Sequence, residues 1–192
     1  MSKNPNHPKK GSTIKVEPIR CLKDIKSIKR FLQDSPRDFC LFTLGINTNL
    51  RASDLLAITA GMVRNKDELV LKEKKTGKER RITLNTIAQK AIQRLLASRK
   101  YDDDDRLFQG QRGPLTVPTV NRLVKGWCKA INLKGNYGSH TLRKTFGYHQ
   151  RVTFGRGLPE LMTVFNHSTQ RQTLEYLCVQ PEEIKDIYLN EL

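Results

Sequence analysis

The sequence lacks the features of a membrane-spanning or secreted protein. Its first residues, Met1 to Gly11, are polar and basic and contain no apolar stretch like that of a signal peptide. No later hydrophobic run approaches the ~20 residues that a transmembrane helix needs. The four cysteines form no Cys-x-x-Cys pair, which favours buried thiols of a reducing compartment over disulfides or zinc ligands. These cysteines are Cys21, Cys40, Cys128 and Cys178. We therefore expect a cytoplasmic protein without membrane contact.

Motifs for cofactors are absent as well. There is no P-loop for a nucleotide, and the acidic run Asp102–Asp105 lacks the glycine spacing of a calcium loop. With 192 residues and 37% hydrophobic content, the chain can bury the core of one domain without disulfides or metals. We expect neither a cofactor nor a metal.

Acidic residues are scarce relative to basic ones. The chain has 35 Lys and Arg against 19 Asp and Glu, a formal net charge of +16 that is spread along its whole length. This balance is typical of proteins that bind nucleic acid, because each neutralised phosphate releases condensed counterions. Nucleic acid is thus a better candidate partner than an anionic membrane.

Periodicity predicts an α+β domain that is mainly α. Helices are predicted at 22–32, 36–46, 54–59, 85–98, 116–131, from 139 onward, at 159–165, 168–178 and about 181–190. Two strands, 68–74 and 80–84, flank the glycine-containing turn Lys75-Thr-Gly-Lys78 and predict an antiparallel β-hairpin. Ser53 and Ser139 are predicted N-caps, and Ile87 is expected on a buried helix face. Residues 1–17 are predicted to be a basic flexible tail, and 18–192 one domain.

Polar residues with catalytic potential follow one another in a definite order. Arg51 lies at the predicted entrance of a short helix, where backbone N–H groups favour an anion. His140 and Arg143 are three residues apart and share one helix face. His167 and Tyr176 are nine residues apart, which would place them on opposite sides of a continuous helix. A break between them, near Ser168, would let them converge.

This ordered set resembles the tyrosine recombinase (phage integrase) family. The matching residues are Arg51 followed by Asp54, Lys75 on the hairpin, His140-x-x-Arg143, His167 and Tyr176. The resemblance covers the chain from about residue 20 to its end and implies the catalytic-domain fold of that family. Family members usually carry a helical core-binding domain before this one. Here only residues 1–21 precede the first predicted helix, so we expect that domain to be missing.

The resemblance implies a DNA strand transferase, encoded by a bacterium, phage or mobile element, that recombines or integrates double-stranded DNA. Tyr176 would attack the scissile phosphodiester to form a 3′-phosphotyrosyl link and free a 5′-hydroxyl. Arg51 and Arg143 would hold the non-bridging phosphate oxygens. His140 would assist proton transfer with Tyr176, and His167 would donate to a phosphate oxygen. The scheme uses no metal and no nucleotide.

Further residues are expected to support this chemistry. Lys75 would act as general acid toward the leaving 5′-oxygen, with Lys78 as a competing candidate on the same turn. Asp54 is expected to orient an arginine. Lys78, Arg80 and Lys144 are predicted to contact DNA.

Other interpretations of the sequence remain open. The chain also suits a non-catalytic DNA-binding regulator or remnant with the same fold, a type IB topoisomerase-like enzyme, or a fragment of a longer protein. The helix at about 181–190 suits either self-association on DNA, through docking on a neighbouring subunit, or packing on its own domain. An accessory DNA-binding protein is a further candidate partner.

Overall fold

Helices form most of the described chain and follow the apolar periodicity of the sequence. The structure is a computed structural model that describes residues 16–177, 179 and 188–189. Its helices are α1 (Leu22–Phe31), α2 (Pro36–Asn47), α3 (Ala52–Leu55), α4 (Ala60–Val63), α5 (Thr86–Ala97), α6 (Val117–Ala130), α7 (Ser139–Val152), α8 (Leu158–Phe165) and α9 (Gln170–Leu177). The mainly helical α+β fold expected from the sequence is confirmed.

The predicted hairpin is present as two antiparallel strands, β1 (Glu68–Lys72) and β2 (Glu79–Thr83). Leu69 and Leu71 are buried on one face of β1, so alternation of apolar and polar residues sets the register. Gly77 adopts a φ of +69° in the turn, a left-handed conformation that glycine reaches without a Cβ clash. The hairpin therefore projects a short basic turn from the body of the domain.

A second, very short antiparallel pair was not predicted. It joins β3 (Gln109–Gly110) to β4 (Gly113–Pro114). The short helix α4 was not predicted either. These elements of two to four residues carry too little periodicity to be recognised in a sequence.

The main core lies around α2, which packs against both α5 and α7. Phe42 of α2 meets Trp127 of α6 edge to face, with ring centroids 5.9 Å apart. Gly45 has no Cβ, and an added one would collide with the side chain of Leu142 on α7. This close approach brings the first turn of α7 against the end of α2, a few residues before Arg51.

Two predicted helix starts were wrong by one or more residues. Arg51, rather than Ser53, is the N-cap of α3, and this helix ends already at Leu55. Gly138, rather than Ser139, is the N-cap of α7. The Ser139 N–H donates to Asn121 Oδ1 of α6 at 3.1 Å, so a distant side chain satisfies the group that a local cap would have satisfied.

Two predictions of burial were also wrong. Ile87 is 53% exposed, because the buried stripe of α5 follows the spacing of Ala88, Ala91, Ile92 and Leu95 and leaves residue 87 beside it. Cys21 is exposed at the N-cap of α1, whereas Cys40 and Cys128 are buried thiols as expected.

The predicted break before Tyr176 is confirmed. Helix α8 ends at Phe165, Asn166 takes a left-handed conformation with a φ of 54°, and α9 begins only at Gln170. Residues 1–15, Cys178 and most of the predicted helix at 181–190 lie outside the described residues. Among the described helices, none is long and apolar enough to cross a membrane.

Candidate active site

Arg143 of α7 is the centre of the candidate site. Its side chain is only 1% exposed, although it is one of the longest side chains in the protein. Its Nη2 donates to the carbonyl of Phe165 at 3.1 Å, and its guanidinium lies 5.0 Å from the ring of Phe165 and 5.2 Å from the ring of Tyr176. Within the described part of the chain, its Nε and Nη1 have no hydrogen-bond partner. A buried guanidinium with unused donors is prepared to bind an anion.

Tyr176 lies among the aromatic and histidine rings that surround Arg143. Its ring centroid is 5.3 Å from that of Phe165, 5.4 Å from that of His167 and 6.5 Å from that of His140. The break between α8 and α9 makes this possible, because α9 packs against α7, the helix that carries His140 and Arg143. The structure thus brings together the C-terminal group of residues that the sequence singled out.

The two histidines of the site, His140 and His167, both have lowered pKa values, which favours the neutral imidazole. Desolvation, then the charges of Arg143 and Arg51, lowers the pKa of His167 to about 4. Its Nδ1 lies 3.1 Å from the Thr173 hydroxyl, which can serve either tautomer. Desolvation and neighbouring cations, with Arg143 first, also lower the pKa of His140, although this side chain is exposed. Near pH 7 a neutral His140 is able to accept a proton.

Glu73 is a residue of the site that sequence reasoning missed. Its side chain has no solvent exposure, and its carboxylate bridges Arg51 at 3.0 Å and Arg80 at 3.0 Å. The Thr76 hydroxyl also donates to it, at 2.8 Å. Burial raises the pKa of this carboxyl, but the hydrogen bonds from Thr76, Arg80 and Arg51 outweigh that effect and lower it to about 2. The carboxylate is therefore charged at all ordinary pH values.

A signal for Glu73 does exist in the sequence. Leu69, Leu71 and Glu73 alternate on the buried face of the hairpin, so the third position of this period-two pattern is an acid where an apolar residue is expected. A buried carboxylate needs cationic partners, and the basic hairpin and Arg51 were the candidates.

Asp54 lies where the sequence predicted it, beside Arg51. Its Oδ2 is 3.8 Å from Arg51 Nη1, and its Oδ1 accepts a hydrogen bond from the Lys74 backbone N–H at 3.0 Å. Asp54 is buried, so it links the start of α3 to the hairpin turn as well as flanking the arginine. Its predicted role in orienting Arg51 stays a prediction.

The predicted lysines are on the surface near these arginines. Lys75 and Lys78 are exposed on the hairpin turn. The charge of Lys75 is the smallest of the contributions that lower the pKa of His140, after desolvation and the charges of Arg143, Lys144 and Arg51. Lys144 is half-buried on α7.

Arg80 differs from a free surface arginine. Its side chain is only 10% exposed and pairs with Glu73. Arg80 Nη2 also donates a hydrogen bond to the Val164 carbonyl at 2.9 Å. The DNA contact predicted for Arg80 stays a prediction, but its main contacts are internal. Among the described residues, no group of His, Cys, Asp or Glu is arranged to hold a metal ion.

The mainly helical fold, and the cluster that it forms from Arg143, His140, His167 and Tyr176, agree with the family that the sequence resembles. The chain belongs to the phage integrase family, the tyrosine recombinases: the profile described as "Phage integrase family" matches residues 22–183. The resemblance stated from the sequence is confirmed.

Two curated relatives illustrate this membership. The chain is 34% identical over 178 residues to the probable integrase/recombinase YoeC of Bacillus subtilis (strain 168), covering 90% of this chain and 95% of YoeC. It is 30% identical to the tyrosine recombinase XerC of Caldanaerobacter subterraneus subsp. tengcongensis, covering 97% of this chain but 55% of that one. The chain therefore spans nearly all of one relative and about half of the other.

Solved structures show the same fold. The crystal structure of XerA recombinase superimposes with a TM-score of 0.76 at 16% identity and covers 93% of this chain and 65% of XerA. The XerH site-specific recombinase, bound to its palindromic difH substrate in a post-cleavage complex, gives a TM-score of 0.72 at 16% identity, over 95% of this chain and 55% of XerH.

Proposed function

We propose that this protein is a site-specific recombinase that cuts and rejoins double-stranded DNA through a 3′-phosphotyrosyl intermediate. The observation that carries the proposal is Arg143, a buried guanidinium whose Nε and Nη1 have no hydrogen-bond partner among the described residues and which lies 5.2 Å from the Tyr176 ring. Burying a cation without a hydrogen-bonded carboxylate lowers the stability of a protein, and binding of an anionic ligand would explain why Arg143 is buried in this way. The structural neighbour XerH, a site-specific recombinase bound to its palindromic difH substrate in a post-cleavage complex, supports a phosphodiester as that ligand.

The phosphate would be held between two arginines. Arg143 would offer Nε and Nη1 to non-bridging oxygens, and Arg51 would offer the guanidinium nitrogens that its bond to Glu73 leaves free. His167, whose Nε2 is 3.5 Å from Arg143 Nη2, would donate to the same phosphate group once its proton resides on that nitrogen. These donors would stabilise the negative charge that grows in the pentavalent transition state.

Proton transfer would need one base and one acid. The Tyr176 oxygen attacks phosphorus while its proton passes to a neutral His140, and the bond between phosphorus and the 5′-oxygen breaks. Lys75, on the exposed hairpin turn, protonates the leaving 5′-oxygen. In re-ligation a 5′-hydroxyl attacks the phosphotyrosine, and the same protons move in reverse. The energy of the broken phosphodiester is kept in the covalent link, so the scheme uses no nucleotide.

Partners beyond DNA belong to the same proposal. The apolar residues Ile184, Ile187 and Tyr188 lie in the predicted helix at about 181–190, and we infer that this segment supports self-association on DNA. An accessory DNA-binding protein would increase the affinity with which this domain binds the duplex.

The covalent intermediate provides the test. The protein is incubated with nicked suicide duplexes tiled across the DNA that flanks its own gene, and the products are separated on a denaturing gel. We expect a protein–DNA adduct that is lost in Tyr176→Phe, because phenylalanine has no nucleophilic oxygen. Tyr148→Phe, a half-buried tyrosine on α7, is the matched control and should retain the adduct.

The contrary outcome is equally specific. Tight, salt-sensitive DNA binding without an adduct on any duplex would contradict strand transfer and favour a DNA-binding regulator with this fold. An adduct that persists in Tyr176→Phe would show that another residue is the nucleophile.

A further inference from the structure

We propose that Glu73 is a positioning residue. Its buried carboxylate binds Arg51 and Arg80, and through them and the hairpin turn it fixes the positions of Arg51, Lys75 and the turn before His167. The inference deepens the recombinase function proposed above and rests on it. Glu73 itself is not placed to touch DNA, because its side chain has no solvent exposure. It would act through the residues that it binds.

The first of these contacts is to Arg51. Arg51 Nη1 lies 3.0 Å from Glu73 Oε2, and the Arg51 side chain is 15% exposed. A guanidinium is planar and rigid, so a bond at one nitrogen determines the direction in which the remaining donors point. Asp54 is 3.8 Å from the same nitrogen and adds a weaker restraint. Glu73 thus sets the orientation of the arginine that is proposed to receive the phosphate.

The second contact is to the hairpin turn that carries Lys75. The Thr76 hydroxyl donates to Glu73 Oε2 at 2.8 Å, and the Gly77 N–H donates to the Glu73 carbonyl at 2.9 Å. The Glu73 N–H donates to the Lys78 carbonyl at 2.9 Å. Both the side chain and the backbone of Glu73 therefore close the turn, and they limit the positions that the exposed Lys75 can reach.

The third contact reaches the turn before His167 through Arg80. Glu73 Oε1 is 3.0 Å from Arg80 Nη1, and Arg80 Nη2 donates to the Val164 carbonyl at 2.9 Å. Asn49 Nδ2 donates to the same carbonyl at 3.0 Å. Val164 lies three residues before His167, at the end of α8. One carboxylate thus connects β2 to the segment that directs His167 toward Arg143.

Charge explains why the bridging group must be an acid. Arg51 and Arg80 both contribute to the lowered pKa of Arg143, which desolvation and then these cations bring to about 10. Arg51 and Arg80 each lie 3.0 Å from an oxygen of the same Glu73 carboxylate, so their two positive charges are held close together. Without a negative charge between them, Arg51 and Arg80 would move apart, and the phosphate pocket would lose its shape before DNA arrives.

The test compares two changes of acid to amide on the same hairpin. Glu73→Gln keeps the size of the side chain but removes its charge, and Glu79→Gln does the same at a side chain that is 63% exposed and pairs with Arg81. We expect Glu73→Gln to lower the single-turnover cleavage rate at saturating DNA by about 10²-fold, the effect of misplacing catalytic groups by about 1 Å. The half-saturating DNA concentration should change less than about threefold. Glu79→Gln should match the wild type in both quantities.

A double-mutant cycle separates positioning from general loss of structure. Because Glu73 positions Arg51 as well as the Lys75 turn and the segment before His167, Glu73→Gln should slow cleavage by a clearly smaller factor in an Arg51→Lys background than in the wild type. If the double variant instead loses the full product of the two single-variant factors in cleavage rate, the inference is overturned. A wild-type cleavage rate in Glu73→Gln would also overturn it.

A milder variant covers the case in which Glu73→Gln is unfolded at the assay temperature. Thr76→Val removes one hydrogen bond to the carboxylate and should slow cleavage about fivefold at unchanged half-saturation. A Thr76→Val protein that melts normally and cleaves at the wild-type rate would overturn the inference.

The wild-type protein is the reference that distinguishes this inference from the proposed function. Absence of the adduct from the wild type contradicts the recombinase function, whereas an adduct that forms at the same rate in wild type and Glu73→Gln contradicts only the role of Glu73.

Discussion

At the scale of single residues, Arg143 shows that the site is built at a cost to stability. It is fully buried, its Nε and Nη1 have no hydrogen-bond partner among the described residues, and desolvation lowers its pKa to about 10. Residues that serve a ligand in this way weaken the protein that lacks the ligand.

Replacing Arg143 should therefore raise stability and remove activity together. Arg143→Met has a side chain of similar length without unsatisfied donors, so we expect the free energy of unfolding to rise by about 1 kcal/mol. For a domain of this size the melting temperature should rise by roughly 2–4 °C. Adduct formation should fall below detection. Calorimetry and the suicide-duplex assay measure the two effects.

The control is Arg122→Met on α6, where the arginine is exposed. It should change the melting temperature little, because surface substitutions are usually within ±0.5 kcal/mol. A lower melting temperature for Arg143→Met than for wild type would contradict the idea of a strained, ligand-ready arginine.

His167 should make stability depend on pH in a defined window. Its pKa is lowered to about 4 in the folded protein by desolvation and then by Arg143, whereas an unperturbed histidine titrates near ~6.5. The unfolded chain therefore binds more protons between these values. Stability from this group is fully present above about pH 6.5 and is lost as the pH falls toward about 4.

Urea unfolding measured at several pH values between about 7 and about 5 tests this dependence. The free energy of unfolding should fall with pH in the wild type and fall less steeply in His167→Gln. Some dependence should remain, because the pKa of His140 is lowered in the same direction. Identical slopes for the two proteins would mean that His167 titrates normally in the fold.

At the scale of elements, the site depends on how closely α7 and α8 approach each other. Gly147 of α7 faces Phe165, and a Cβ added at Gly147 would lie 2.8 Å from Phe165 Cζ. The Phe165 ring in turn supports both the Arg143 guanidinium and the Tyr176 ring. A glycine in the middle of a helix thus allows the close packing of Phe165 that supports both Arg143 and Tyr176.

Gly147→Ala should displace the Phe165 ring, because the added Cβ would lie too close to it. We expect a loss of about 1–3 kcal/mol in the free energy of unfolding from overpacking, together with slower adduct formation. Gly126→Ala on α6 is the matched control, because an added Cβ there meets no atom within 4 Å. It should stabilise the protein by about 0.5–1 kcal/mol, as alanine favours helix over glycine. Equal effects of the two variants would contradict the role of the close approach.

At the scale of the whole molecule, the net charge of +16 determines how the protein meets DNA. Binding should weaken steeply with salt, with a slope of about −0.9 in log K against log[salt] for each phosphate contacted. Lys78→Gln removes one exposed charge beside the site and should reduce that slope by about one unit. Filter binding or anisotropy over a salt series measures it. An unchanged slope would place Lys78 away from the DNA backbone.

Several features of the protein follow from its sequence alone. The order from Arg51 through Lys75, His140, Arg143 and His167 to Tyr176 resembles the tyrosine recombinase family, and the family match over residues 22–183 confirms that resemblance. Local patterns also predict the hairpin and the break before α9, since glycine, polar turn residues and apolar periodicity act over a few neighbouring residues.

Tertiary structure alone decided how those residues are held. Glu73 meets Arg51 across 22 residues of chain, and Arg80 meets Val164 across 84, distances over which no local pattern operates. The burial of Arg143 against Phe165 and the cap of α7 by Asn121 are likewise set by packing between elements. The sequence supplies the residues that are proposed to carry the chemistry, whereas the packed fold determines their orientation and their charge, because both depend on burial and on partners distant in the chain.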